Sequence, residues 1–226
     1  MPRVGVFGGS FNPIHLGHLL LAEDILELLG LDRILFVPAA APPHKPPRGL
    51  APAQDRYAMT ELAIRGNPRF AISDLELRRP GPSYTVDTLE ALRREGGPDG
   101  TFFLLIGSET FLDLLSWKEP QRLAQLARLL VIPRAESGFD PDGVQAQKVL
   151  AEIGQERWIQ VPPALSAAQP ADKGVLLVAA TSLPISSSDL RRRAREGRSL
   201  TYRVPQAVSS YILERRLYRE EGSWPR

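Results

Sequence analysis

The chain has 226 residues, 43% of them hydrophobic and 24% charged, with 28 Lys and Arg against 26 Asp and Glu, enough for one well-buried core but short for two ordinary domains. The absence of cysteine excludes disulfides, thiolate metal sites and cysteine nucleophiles, and three histidines leave little material for a metal cage. No apolar run approaches the roughly 18 residues of a membrane helix and no charged and apolar leader opens the chain, so a cytoplasmic protein with no membrane partner is expected.

Val4, Val6 and Phe7 suit a short buried strand that ends in a turn at Gly8 and Gly9, and a helix follows. Glycines in such a turn let backbone N–H groups approach an anion, and the positive end of the next helix points at the same place. His15 and His18 are three apart, which puts both imidazoles on one face of the first helical turn, with Gly17 leaving that face open. Imidazoles so placed donate hydrogen bonds to phosphoryl oxygens where negative charge builds up. The helix runs through Leu19, Leu20, Ile25, Leu26 and Leu29 and stops at Gly30.

Ile34 to Val37 is a second buried strand. Alternating short apolar strands and helices give the βαβ pattern, hence an α/β, Rossmann-like, doubly wound and mostly parallel sheet with helices on both faces. Ligands bind at the carboxyl ends of such strands, so the glycine turn and the proline-rich loop from Pro38 to Pro52 line one crevice. A helix is predicted from Ala53 to about Ile64, a strand from Phe70 to Ser73, and a turn from Pro80 to Ser83. Ser83 or Thr85 then caps a helix through Val86, Leu89 and Leu92. Thr101 to Ile106 is the clearest buried strand, and it ends at Gly107-Ser108-Glu109, where the glycine leaves the backbone open to close approach. Leu129 to Ile132 is another strand, followed by an insertion from Pro133 to Gln155 with a helix from Val144; Ala164 to Lys173 reads as a connection. Val175 to Ala180 precedes Ile185-Ser186-Ser187-Ser188-Asp189, a helix start with Arg191 one turn in, which suits phosphates. A last helix from Pro205 to Leu217 is expected to pack Val208, Ile212, Leu213 and Leu217 against the sheet. Nine arginines and three acids fall between Asp189 and Arg219. This excess reads as a solvated helix face with one or two phosphate-binding arginines, not as a nucleic-acid surface.

The run Gly-Gly-Ser-Phe-Asn-Pro-Ile-His-Leu-Gly-His, from Gly8 to His18, resembles the signature of the HxGH nucleotidyltransferases. Pro42-Pro43-His44-Lys45, Ser83-Tyr84-Thr85, Ile106-Gly107, Trp117 and Ile185-Ser186-Ser187 follow in the order found in bacterial nicotinate-nucleotide adenylyltransferases, so the resemblance spans nearly the whole chain. It implies AMP transfer from ATP to nicotinate mononucleotide, with Mg²⁺ accompanying ATP. His15 and His18 are then the catalytic pair. Gly8, Gly9, Ser10, Phe11, Gly17, His18, Gly107, Glu109, Arg134, Ser186, Ser187 and Arg191 bind ATP, the part from about residue 186 completing that site. His44, Lys45, Tyr84, Thr85 and Trp117 hold the mononucleotide, Trp117 by stacking on the pyridine ring. Glu109 stands where the family usually has Asp, and its longer side chain still accepts from ribose hydroxyls or a metal-bound water. No protein-held metal is expected, and a homo-oligomer is left open. Lys118, beside Trp117, is expected to place its ammonium near the nicotinate carboxylate and favour acid over amide.

Overall fold

The computed structural model describes residues 2–43, 49–96, 100–133, 137–161 and 174–219. His44, Lys45, Arg134 and the connection from 164 to 173 lie outside them. Seven strands form one parallel sheet: β1 (Arg3–Gly9), β2 (Arg33–Pro38), β3 (Phe70–Ile72), β4 (Thr101–Gly107), β5 (Arg128–Ile132), β6 (Trp158–Val161) and β7 (Val175–Val178), in the order β3-β2-β1-β4-β5-β7-β6. The chain winds outward in one direction from β1 and in the other from β4. Between those two strands lies the switch point, where a doubly wound sheet opens a crevice at its carboxyl ends.

Side-chain alternation along β4 explains why helices cover both faces. Phe102, Leu104 and Ile106 join one core with Val4, Val6, Leu129 and Val131, while Phe103 and Leu105 join the other with Ile34, Phe36, Leu130 and Leu176. Helices α4 (Thr85–Gly96), α6 (Pro120–Leu126) and α7 (Val144–Glu152), with the short α3 (Leu75–Arg78) and α5 (Ser108–Leu112), close the first face. Helices α1 (Leu16–Leu28), α2 (Ala53–Ile64), α8 (Ser187–Arg195) and α9 (Gln206–Glu214) close the second.

α1 ends as its sequence predicts: Gly30 takes φ +54, a left-handed conformation that costs a β-carbon-free residue little, and Leu31 N–H reaches back to the Leu26 carbonyl at 2.9 Å. Two local expectations change. Ser83 caps nothing, because its hydroxyl accepts from Ala41 N–H at 3.1 Å and ties the turn to the loop after β2; Thr85 is already the first residue of α4. α9 is shorter than its apolar pattern suggests, and Leu213 is 53% exposed, on the face away from buried Val208 and Ile212. No described helix is long and apolar enough to cross a membrane.

Candidate active site

β1 runs into the crevice and stops at Gly8-Gly9. A β-carbon at Gly9 would sit 3.1 Å from the Phe11 ring, which folds back over the turn because Phe11 itself takes φ +42. A β-carbon at Gly8 would meet nothing within 4 Å, so that side of the turn faces open space.

His15 is the N-cap residue of α1 and His18 its third residue, and their rings stack at 3.7 Å with 30° between planes. His15 N–H donates to His18 Nδ1 at 3.2 Å. An accepting Nδ1 puts the proton of the neutral ring on Nε2, so His18 presents an N–H donor on its far edge. The ring is steadied by Phe11 at 5.3 Å and Phe7 at 5.9 Å, both edge-on. Gly17 makes the stack possible, since a β-carbon there would press on His15 at 3.1 Å from Nδ1.

The loops on either side of the histidines are tied from below by a fully buried arginine. On α2, Arg56 shares the inward stripe with Met59, Thr60 and Ile64. Its guanidinium donates to the carbonyls of Ser10 (2.8 Å), Ala39 (2.5 Å), Ala40 (3.0 Å) and Ala51 (2.9 Å). Burial lowers its pKa from the ordinary value, with Tyr218 and Glu76 pulling the other way. Asn12 ties the same loop from the side: Nδ2 donates to Gly49 O at 2.9 Å, and Oδ1 accepts from Ala51 N–H at 3.1 Å and from the Tyr218 hydroxyl at 2.9 Å.

On the other side of the switch point Gly107 ends β4, and a β-carbon there would meet nothing within 4 Å, which leaves room against the backbone. Ser108 is buried below it and Glu109 is exposed in the first turn of α5. Trp117 follows a 3₁₀ turn, Leu114–Ser116, and packs with Tyr84 on the same core. The Lys118 ammonium joins the two segments: it lies 5.1 Å from the Tyr84 ring centroid and 2.8 Å from Asp87 Oδ1, and the bond to Asp87 raises its pKa. Beneath Tyr84, buried Thr88 donates to Glu76 at 2.7 Å and accepts from Arg79 at 3.1 Å.

α8 closes the crevice from the C-terminal side. Ser186 caps it, accepting from Asp189 N–H at 3.2 Å, while the Ser187 hydroxyl donates to Pro13 O at 2.9 Å. Arg191 donates to Asn12 O at 2.9 Å and to the Ser188 hydroxyl at 3.2 Å. The helix start, with its unpaired backbone donors and positive dipole end, is thereby held beside the β1 turn and the histidine pair.

Residues 6–193 match the cytidylyltransferase-like family model. Two relatives named probable nicotinate-nucleotide adenylyltransferase are each 45% identical: that of Thermomicrobium roseum over 97% of this chain and 92% of its own, and that of Thermus thermophilus over 96% and 100%. This chain belongs to the nicotinate-nucleotide adenylyltransferase family. The same fold is seen in the nicotinic acid mononucleotide adenylyltransferase of Plasmodium falciparum complexed with NaAD. That structure is 21% identical, with a TM-score of 0.72 over 96% of this chain and 98% of the other.

Of the residues that the family resemblance singles out, the structure gathers Gly8, Gly9, Ser10, Phe11, His15, Gly17 and His18 at one turn. Ser187 and Arg191 are bonded to its far side. Tyr84 and Trp117 each pack on the core of the first face, Thr85 begins α4 next to Tyr84, and Ser83 joins that segment to the loop after β2. Lys118 differs from its expectation in being already paired with Asp87. Three residues of this architecture went without a role in the sequence reading: Arg56, Asn12 and Tyr218. A signal existed for one of them, because an arginine in register with Met59, Thr60 and Ile64 occupies the buried face of its helix.

Proposed function

We propose that this chain transfers the adenylyl group of ATP to the phosphate of nicotinate mononucleotide, releasing pyrophosphate and forming nicotinate adenine dinucleotide. The observation that carries the reading is the stacked His15–His18 pair at the start of α1, set between the glycine turn of β1 and the N-terminus of α8. A mononucleotide phosphate is already a nucleophile at neutral pH, so no covalent enzyme intermediate is needed. Its oxygen attacks the α-phosphorus, the bond to the bridging oxygen breaks, and pyrophosphate leaves with the electron pair. Alignment of the two substrates supplies roughly 7–11 kcal/mol of the barrier reduction and a well-aimed donor roughly 3–4.

His18 donates from Nε2 to the oxygens on which charge accumulates, and His15 holds its orientation by stacking and through its own backbone N–H. The glycine turn, with Ser10 and Phe11, and the α8 start, with Ser186, Ser187 and Arg191, cradle the triphosphate. Gly107 and Glu109 take the nucleoside of ATP, and Tyr84, Thr85 and Trp117 take the nicotinate end, where free N–H groups at a helix start suit a carboxylate. His44, Lys45 and Arg134 are assigned by resemblance alone. The part from about residue 186 completes the ATP side of a single domain. Among the described residues no group of three or more His, Cys, Asp or Glu is placed to hold a metal. Mg²⁺ would enter with ATP; the exposed Glu109 in the first turn of α5 would accept from a metal-bound water, and the ion would supply charge neutralisation to the phosphates.

The test is pyrophosphate release from ATP and Mg²⁺ with nicotinate mononucleotide, nicotinamide mononucleotide or phosphopantetheine, using wild type and His18→Ala. Preference for nicotinate mononucleotide, with kcat reduced about 10²–10³-fold in the variant, is expected. Turnover only with another acceptor would overturn the assignment of Tyr84, Thr85 and Trp117, and no turnover with any would overturn the reading as a whole.

A further inference from the structure

The signature residue between the turn and the histidines, Asn12, is 5% exposed and is bonded to four residues on three separate stretches of chain. Its amide cannot be flipped. Ala51 N–H can only donate and the Gly49 carbonyl can only accept, so Oδ1 must face Ala51 and Nδ2 must face Gly49. The Tyr218 hydroxyl, 2.9 Å from Oδ1, is therefore the donor in that bond. Asn12 O accepts from Arg191 in turn. Thus the ends of two regions, the α8 arginine and the tyrosine beyond α9, meet on one residue three positions before His15.

We propose that Tyr218 is a positioning residue for adenylyl transfer: through Asn12 its hydroxyl fixes the 49–51 stem of the loop after β2 against the phosphate-binding turn. The inference rests on the proposed function for its kinetic readout and on the hydrogen bonds alone for its structural one. Tyr218 is suited to the task. It is held at φ +68, its side chain is partly buried, and burial raises its pKa against the pull of Arg191 and Arg56, which keeps the phenol protonated as a donor. Removing the hydroxyl leaves Asn12 its bonds to Gly49 and Ala51 but takes away the third partner that fixes its amide, so the anchor between stem and turn loosens while the aromatic packing stays.

A control is built into the same segment. Tyr211, on α9, donates to Asp55 Oδ1 at 2.7 Å, with Arg215 at 3.7 Å from the same oxygen. That bond docks α9 on α2 and touches neither the turn nor the loop stem. Tyr218→Phe and Tyr211→Phe thus each remove one hydroxyl from the C-terminal segment, and only the first acts on the site.

The experiment compares kcat and KM for ATP and nicotinate mononucleotide in wild type and both variants, together with amide hydrogen exchange over residues 49–51. For Tyr218→Phe, kcat is expected to fall about three- to tenfold with each KM within about twofold, and the 49–51 amides to exchange faster. Tyr211→Phe keeps the wild-type kcat and the wild-type exchange at 49–51. Wild-type kcat and exchange in Tyr218→Phe would overturn the proposal, as would equal losses in both variants, which would mark a general loosening of the C-terminal segment. A wild-type chain that turns over no mononucleotide counts against the proposed function instead, and the exchange comparison still decides whether Tyr218 fixes the stem.

Discussion

Replacing Gly17 with Ala separates the placement of His15 from its chemistry. The added β-carbon would stand 3.1 Å from His15 Nδ1 and 3.2 Å from Cε1, with Leu183 behind it at 3.8 Å. Non-bonded heavy atoms settle at about 3.5–4.0 Å, so the imidazole has to yield by about 0.5 Å. A displacement of 1 Å in a catalytic group costs about 100-fold in rate, and half of that about tenfold. Stability moves the other way. The backbone at Gly17 lies outside the left-handed region, so Ala fits the helix and gains up to about 1 kcal/mol in propensity. For a chain of this size that raises Tm by about 2–4 °C at most. The expected result is kcat down about tenfold with Tm unchanged or slightly raised, read from pyrophosphate release and a thermal melt. A kcat within twofold of wild type would refute the reasoning and show that His15 does not depend on its contact with position 17.

Arg56→Met removes a buried cation that closes four carbonyls, at a cost of about 3–5 kcal/mol. Tm should fall by about 10 °C in a melt, with no rescue by Arg56→Lys because a compact ammonium with three donors cannot reach all four carbonyls; a fall under about 3 °C would mean that Asn12 holds the stems alone. Lys118→Ala should narrow the preference for nicotinate over nicotinamide mononucleotide, read as the ratio of kcat/KM values. An unchanged ratio would reduce Lys118 to the partner of Asp87 and Tyr84.

Wherever a segment's own chemistry decided its state, the sequence was enough. The α2 boundaries, Ala53–Ile64, follow from an apolar stripe after a proline-rich stretch, and the α1 stop follows from Gly30. The edge strand β6, Trp158–Val161, escaped because it has only four residues, none of them fully buried, and pairs with β7 alone. α6 escaped because it is seven residues long and begins at Pro120 after a left-handed Glu119. At the site, the glycines and the histidine pair are local and were legible. Ser83 was misjudged as a cap because its true partner, Ala41, lies 42 positions away. The same reason hid Tyr218: nothing near it in sequence announces an acceptor in the first helical entry, and only the winding of the sheet brings the two together.

The separation of Asn12 from Arg191 and Tyr218, 179 and 206 positions, also sets when the protein can work. The phosphate turn leaves the ribosome ahead of its far wall by those same 179 and 206 positions. At about 5–20 residues per second the histidine pair waits roughly 10–40 s for α8 and the tyrosine behind it. During that interval a growing chain holds the Asn12 turn without the two bonds that Arg191 and Tyr218 bring to it, so this hydrogen-bond network closes only when the C-terminal segment docks.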